Sequence, residues 1–188
     1  MQTQPPQTLA PPGTPAASAA LEVEMDQSAS REHVTRLAVH LARAFAGAAA
    51  IFTVGHDLIE GVVGEGFESN VTTALLPVGS GSLLGRVAAS GEAYRGRPPE
   101  GGLDEKIFTA LGRGHVSEIA ILPVALQGRV VNLLYADNGP EILGDASIAA
   151  LGTVCTRIAR VYARLILERK ARVACRRSPV PLGSLLRS

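Results

Sequence analysis

Apolar positions along this chain follow two rhythms. Val34, Leu37, Leu41 and Phe45 recur every three or four residues, as on one helix face. The spacing predicts a helix over 28–46, with Ser28 or Ser30 as its cap and Glu32 at the positive end of its dipole. His33, Arg36, His40 and Arg43 take the opposite, polar face. Short apolar runs follow over 48–54 and 58–63, and the three residues Gly55-His56-Asp57 between them predict a hairpin. Residues 72–78 predict another strand, which Pro77 sends to a sheet edge or bend. Gly79-Ser80-Gly81-Ser82 breaks the chain, and 83–90 predicts a helix ended by Gly91. A short strand over 93–95, a Pro/Gly loop over 97–102 and a helix over 103–112 come next. Two strands, 117–126 and 129–137, flank Gln127-Gly128, where Gly supplies the positive φ of a tight hairpin. Asp137-Asn138-Gly139-Pro140 reads as the turn that stops the second strand.

Asp145 caps the last helix. Ile148, Leu151, Cys155, Ile158, Tyr162 and Leu165 follow at spacings of 3, 4, 3, 4 and 3, a heptad-like seam. Val154 and Val161 widen it, which predicts packing on more than one partner. Strands joined by tight turns favour an antiparallel sheet. The resulting fold class is α+β: an antiparallel sheet with the N- and C-terminal helices on one face and short helices and loops over the other.

Composition changes this picture at the ends. Residues 1–27 are rich in Pro, Ala, Thr and Gln and read as a disordered linker or tail. The domain is expected over 28–172, with a basic, flexible tail over 173–188 in which Ser178-Pro179-Val180-Pro181 opposes a helix. The 188 residues, 46% hydrophobic and 19% charged, exclude a wholly disordered or disulfide-dense chain. No apolar run approaches the ~20 residues of a membrane span, and with no Lys/Arg start followed by an apolar stretch a secretory signal is not expected. Net charge is +1, but its distribution is uneven. Residues 1–156 carry sixteen acids and nine bases, whereas 157–188 carry nine bases and Glu168 alone. On a continuous helix Cys155 and Cys175 would lie ~30 Å apart, too far for a disulfide, so a reduced cytoplasmic protein is expected. Two cysteines with no Cys/His cluster do not make a tetrahedral zinc site.

Three stretches together resemble the GAF family of ligand-sensing and regulatory domains. Residues 76–92 end in Gly85-Arg86-Val87-Ala88-Ala89-Ser90-Gly91-Glu92, similar to that family's G-R-V-A-x-S-G-E. Residues 120–135 match its hairpin through Pro123, Gly128 and Leu133-Leu134, with Asn132 where the family usually has Gly. The closing helix starting at an acidic residue is the third. The resemblance covers roughly 28–170 and implies a small-molecule pocket on one sheet face, roofed by residues 79–116. It also implies terminal helices that often make a parallel dimer bundle.

The family's chemistries find few of their residues here. A bilin site needs a pocket Cys, and Cys155 and Cys175 lie on the closing helix and its tail. The reductase branch for free methionine sulfoxide uses cysteines in pocket loops, where this sequence has none. The Asn-Lys…Phe…Asp-Glu pattern of cyclic-nucleotide members is not visible. A haem would need an axial His, for which His115 is the loop candidate. No catalytic constellation stands out, and no cofactor or metal is expected.

Free N–H groups at the helix start after 79–82 can hold an anion, although a tight turn that lets the helix pack on the sheet is the simpler account of the glycines. Candidate ligand contacts are Ser80, Ser82, Arg86, Tyr94 and His115; a candidate dimer interface is Leu37, Leu41, Leu151, Cys155, Ile158, Tyr162 and Leu165. Arg157, Arg160 and Arg164 form an outer stripe that continues through Arg169, Lys170, Arg172, Arg176 and Arg177, suited to an acidic partner, an anionic membrane surface or nucleic acid, or simply to solvent. Two functional readings stand side by side. One is a non-enzymatic GAF-like regulatory module that binds a small molecule or signalling protein and signals as a homodimer through its terminal helices. The other is a GAF-like scaffold with no pocket, acting only by protein–protein contact. A cavity of ~300 Å³ or more under the roof supports the first, and a closed core of Leu and Val the second.

Overall fold

The computed structural model describes residues 15–177. Three helices, α1 (Pro15–Gln27), α2 (Arg31–Ala42) and the 33-residue α5 (Asp145–Arg177), cover one face of a six-stranded sheet. The strands are β1 (Ala48–Val54), β2 (Leu58–Glu65), β3 (Leu75–Pro77), β4 (Tyr94–Gly96), β5 (Ile119–Leu126) and β6 (Arg129–Asp137). Their order is β3-β2-β1-β6-β5-β4, with antiparallel pairing throughout. Two short helices, α3 (Leu83–Ser90) and α4 (Gly102–Ala110), lie over the other face. This is the α+β arrangement predicted from the apolar rhythms.

The period-2 pleat divides the core in two. Ala49, Ile51, Leu122, Leu134 and Ala136 point to the helix face and meet α2 and α5. Their neighbours Ala50, Phe52, Ile121, Leu133 and Tyr135 point to the roof and meet α3 and α4. The central strands therefore bury both faces and carry little alternation of polarity. Asn132, where the resembling family usually has Gly, is buried and donates from Nδ2 to the Phe52 carbonyl at 3.2 Å and to Thr53 Oγ1 at 3.0 Å. It thus adds a cross-strand clasp between β6 and β1. Pro123 sits in β5 beyond the three residues that β4 pairs, so its missing N–H breaks no bond to β4.

Local chemistry explains the element ends. Ser30, the second of the two cap candidates, caps α2 by accepting from His33 N at 3.1 Å. Gly91 closes α3 at φ 70, the left-handed conformation that only Gly adopts cheaply. In the β5–β6 turn both Gln127 (φ 53) and Gly128 (φ 78) are left-handed, so Gly is not the sole residue that bends it.

Four expectations are corrected. The linker expected over 1–27 is helical from Pro15: Pro suits the first helical position, and Met25 is buried in the helix-face core with Leu21 packed beside it. Residues 1–14 lie outside the described residues. The strand expected over 72–78 is reduced to β3. Asn70 Oδ1 accepts from Thr72 N at 3.0 Å and starts a 3-10 turn, Val71–Thr73, that consumes the first half. That turn lies so close to β2 that a Cβ at Gly61 would overlap the Val71 carbonyl oxygen. The helix expected to fray after Arg172 runs on to Arg177, which shortens the basic tail. The rest of that tail, residues 178–188, lies outside the described residues. The fourth correction concerns the seam on α5 and follows with the site.

Candidate functional site

The roofed face is where the resemblance implied a pocket. Much of that space is filled by the chain itself, with a small cavity of about 170 Å³ left between Ala74 and Leu111. Phe52, Leu84, Val87, Phe108, Leu111 and Tyr135 are all buried there and form one packed cluster. The rings of Phe67 and Phe108 lie 5.8 and 5.7 Å from that of Tyr135.

The start of α3 is likewise occupied. Ser82 caps it by accepting from Gly85 N at 3.1 Å, and Ser80 Oγ donates to Ser82 Oγ at 3.0 Å. The N–H of Leu83 points at the buried carboxylate of Asp104, with both oxygens in range at 2.8 and 3.0 Å. Asp104 comes from the first turn of α4 and stands where an external anion would sit. Its only trace in the sequence is an acid near a helix start.

The five proposed ligand contacts are spread out. Ser80 and Ser82 are engaged in the α3 cap, and Arg86 is exposed on that helix. Tyr94 lies on β4, with its hydroxyl donating to the Arg97 carbonyl at 2.6 Å. His115 is exposed and lines an open cleft of about 380 Å³ beside α4. The cleft wall mixes Arg97 and Arg113 with Glu100 and Glu105, so it has no dominant charge.

Beneath the cleft lies a buried ion pair that sequence reading missed. Asp137, read only as part of a turn, is 0% exposed and accepts from Arg113 Nε at 2.9 Å, with a second bond from Arg113 Nη2. It also accepts from Gly139 N at 2.7 Å. Burial, and after it the Asp137 carboxylate, holds the neighbouring Tyr135 phenol well above its ordinary range. A second cluster ties β4 to the start of α5. Arg95 Nε donates to Glu118 at 3.0 Å and Arg95 Nη1 to Asp145 at 2.5 Å, and Glu118 also accepts from Leu143 N at 2.8 Å. Hydrogen bonds to Asp145 and then Glu118 raise the Arg95 pKa. Asp145, expected as a cap, is instead the first residue of α5, and its carboxylate anchors the helix to the sheet edge.

On the helix face the candidate dimer seam is core. Leu37, Leu41, Leu151, Cys155, Ile158 and Tyr162 are buried against the sheet and the neighbouring helices within one chain, and Leu165 is half-buried at the margin. Because α2 and α5 pack on each other and on the sheet, the seam faces inward. Two members of the arginine stripe also turn inward. Arg157 reaches Glu22 at 2.7 Å and Asp26 at 2.5 Å, and Arg164 Nη2 donates to the Ser28 carbonyl at 2.5 Å. The acidic partner of Arg157 is the chain's own α1, and that of Arg164 is Glu168 on α5.

Beyond Ile166, α5 leaves the body. Arg169, Lys170 and Arg172 are exposed there, and Leu167 is 66% exposed. A groove of about 800 Å³ runs between this stretch and the α1–α2 junction. Arg176 and Arg177 continue the helix backbone. Among the described residues no cluster of three His, Cys, Asp or Glu is placed to hold a metal, and no helix is long and apolar enough to cross a membrane.

No family model and no curated protein matches the chain by sequence. Solved structures do match in shape. Residues 122 to 287 of a methyl-accepting chemotaxis protein align with TM-score 0.69 at 14% identity, covering 79% of this chain and 98% of that one. The GAF domain of a phosphoenolpyruvate-protein phosphotransferase from Coxiella burnetii aligns with TM-score 0.65 at 20% identity, covering 84% and 94%. Free methionine-R-sulfoxide reductase from Neisseria meningitidis, in complex with its substrate, aligns with TM-score 0.63 at 16% identity, covering 82% and 89%. At such identities the likeness speaks to architecture, which these neighbours share across different activities. The chain has the GAF fold.

Proposed function

We propose that this chain is a non-enzymatic regulatory module on the GAF fold that acts by protein–protein contact, with its roofed face serving as core rather than as a ligand chamber. The observation that carries this reading is the packing of Phe52, Leu84, Val87, Phe108, Leu111 and Tyr135 between sheet and roof, together with Asp104 at the α3 start. Of the two readings left open by the sequence, the packed interior favours the scaffold; the cleft of about 380 Å³ at His115 reaches the size set for a ligand site, but it opens outward beside α4 and its wall mixes both charges. A regulatory role rests on the sensory and signalling titles of several fold neighbours.

The reductase among those neighbours does not extend its chemistry here. Cys155 lies on α5, across the sheet from the roof, and burial pushes its thiol up to about 12, so it is no nucleophile near neutral pH. A reduced, buried thiol is consistent with a cytoplasmic setting. The homodimer once suggested by the α5 seam loses that support, since the seam is inside the monomer.

Native mass spectrometry of the protein purified from its own host tests the proposal. The expected spectrum is that of the bare chain; a stoichiometric small molecule, retained in the protein and lost on unfolding, overturns it in favour of a ligand sensor.

A further inference from the structure

We propose that the groove between the free end of α5 and the α1–α2 junction is a docking site for an acidic amphipathic helix of another protein. The inference rests on the protein-contact reading above and names the surface and the chemistry of the partner.

The groove has an apolar floor and a cationic rim. Leu165, Ile166 and Val173 supply the apolar lining, here the floor, and Arg31, Arg169, Lys170 and Arg172 the cationic lining, here the rim; Arg169 stands one turn from both Leu165 and Val173 on the same helix face, so charge and apolar area alternate along it. Val173 lies seven and eight positions beyond Ile166 and Leu165, about two helical turns, so a helix laid along α5 meets them with apolar residues of its own at i and i+7. The rim is partly preset: the Arg31 guanidinium stacks 5.0 Å from the centre of the Tyr162 ring. Glu168, the one acid after residue 156, is bonded to Arg164 at 2.7 Å. Among the described residues no carboxylate pairs with Arg169, Lys170 or Arg172.

Charge selects the occupant. Residues 1–14 and 178–188 contain no acid, so neither end of this chain complements the rim. Two copies joined along 165–177 would set five bases and a single acid against the same set, which repels. The stripe has no aromatic residue to stack on bases, and the Leu/Ile/Val floor gives nothing to a phosphodiester. A bilayer surface is flat, whereas this lining is walled on one side by Ala29 and Arg31 of the α1–α2 junction. An acidic helix satisfies floor and rim together.

The test uses the full chain and a synthetic, helix-stabilised peptide with Leu at i, i+3, i+4 and i+7 and Glu on the flanks. One control scrambles its order, and another replaces Glu by Lys. Binding is read by fluorescence anisotropy, and the site by chemical-shift changes in the labelled protein. The expected result is saturable binding of the acidic peptide, shifts confined to the groove, and at least a roughly tenfold loss with Arg169→Glu plus Arg172→Glu or on raising salt. These exposed substitutions leave the core intact, which circular dichroism checks. Equal binding of the scrambled or Lys peptide, or no binding of the acidic one, overturns the proposal. Charge-sensitive binding to anionic phosphatidylserine vesicles in its place assigns the surface to lipid and also overturns it. So does self-association in sedimentation that the same double substitution abolishes. A retained small molecule in the native spectrum overturns the protein-contact reading instead, and leaves the peptide result standing by itself.

Discussion

Arg113 and Asp137 hold the roof to the sheet through a contact 24 residues apart in sequence. Removing one member of a buried pair leaves the other charge without compensation, which costs about 3–5 kcal/mol. Arg113→Ala is therefore expected to lower stability by that order in urea unfolding. Asp137→Asn in the same background should recover part of the loss, and a double-mutant cycle reads the coupling. Two buried acids on α5 set a pH limit. Burial raises the Cys155 thiol from 9.0 to about 12, and burial, opposed by Arg31, raises the Tyr162 phenol from 10.0 to about 12. Both groups bind protons more tightly in the fold than in the unfolded chain. Their contribution is thus complete below pH 9 and is lost as pH climbs toward 12. Urea midpoints measured between about pH 8 and pH 11 should fall, and Cys155→Ala should flatten part of that decline.

Among the elements, α1 shows how a segment of unremarkable composition becomes structural. Its large apolar residues are few, but Leu21 and Met25 are one turn apart and enter the core, while Glu22 and Asp26 on the adjoining face meet Arg157. Met25→Ala is expected to cost about 2–5 kcal/mol, measured by thermal or urea unfolding. A linker there would show no change. The same element consumes part of the arginine stripe, so only the outer end of α5 is left for a partner.

For the whole molecule, the two cores on either side of one sheet make the fold a three-layer body without a spare apolar face along the α5 seam. Ile158, at 0% exposure, separates the two accounts of that seam. A Glu buried there without a partner costs several kcal/mol. Ile158→Glu is expected to abolish the cooperative unfolding transition seen by circular dichroism. A folded monomer replacing a wild-type dimer in light scattering would restore the seam as an interface.

Local patterns were enough to place most elements. The Ser30 cap, the Gly91 stop, the Gln127-Gly128 turn and the seam of α5 depend on residues within a few positions of each other, and their periodicity survives without knowledge of the fold. The antiparallel sheet and its helix-covered face followed from the same rhythms. What the seam packs on did not, because an amphipathic stripe is the same whether its partner is a sheet, a neighbouring helix or a second chain. Tertiary structure alone put Asp104 at the start of α3 across 21 residues and Arg157 against Glu22 across 135, since such pairings depend on where the chain returns in space. Those returns closed the expected anion site and turned the presumed interface into core. They left the far end of α5, where helix and body part, as the surface with charge and apolar area still to be matched.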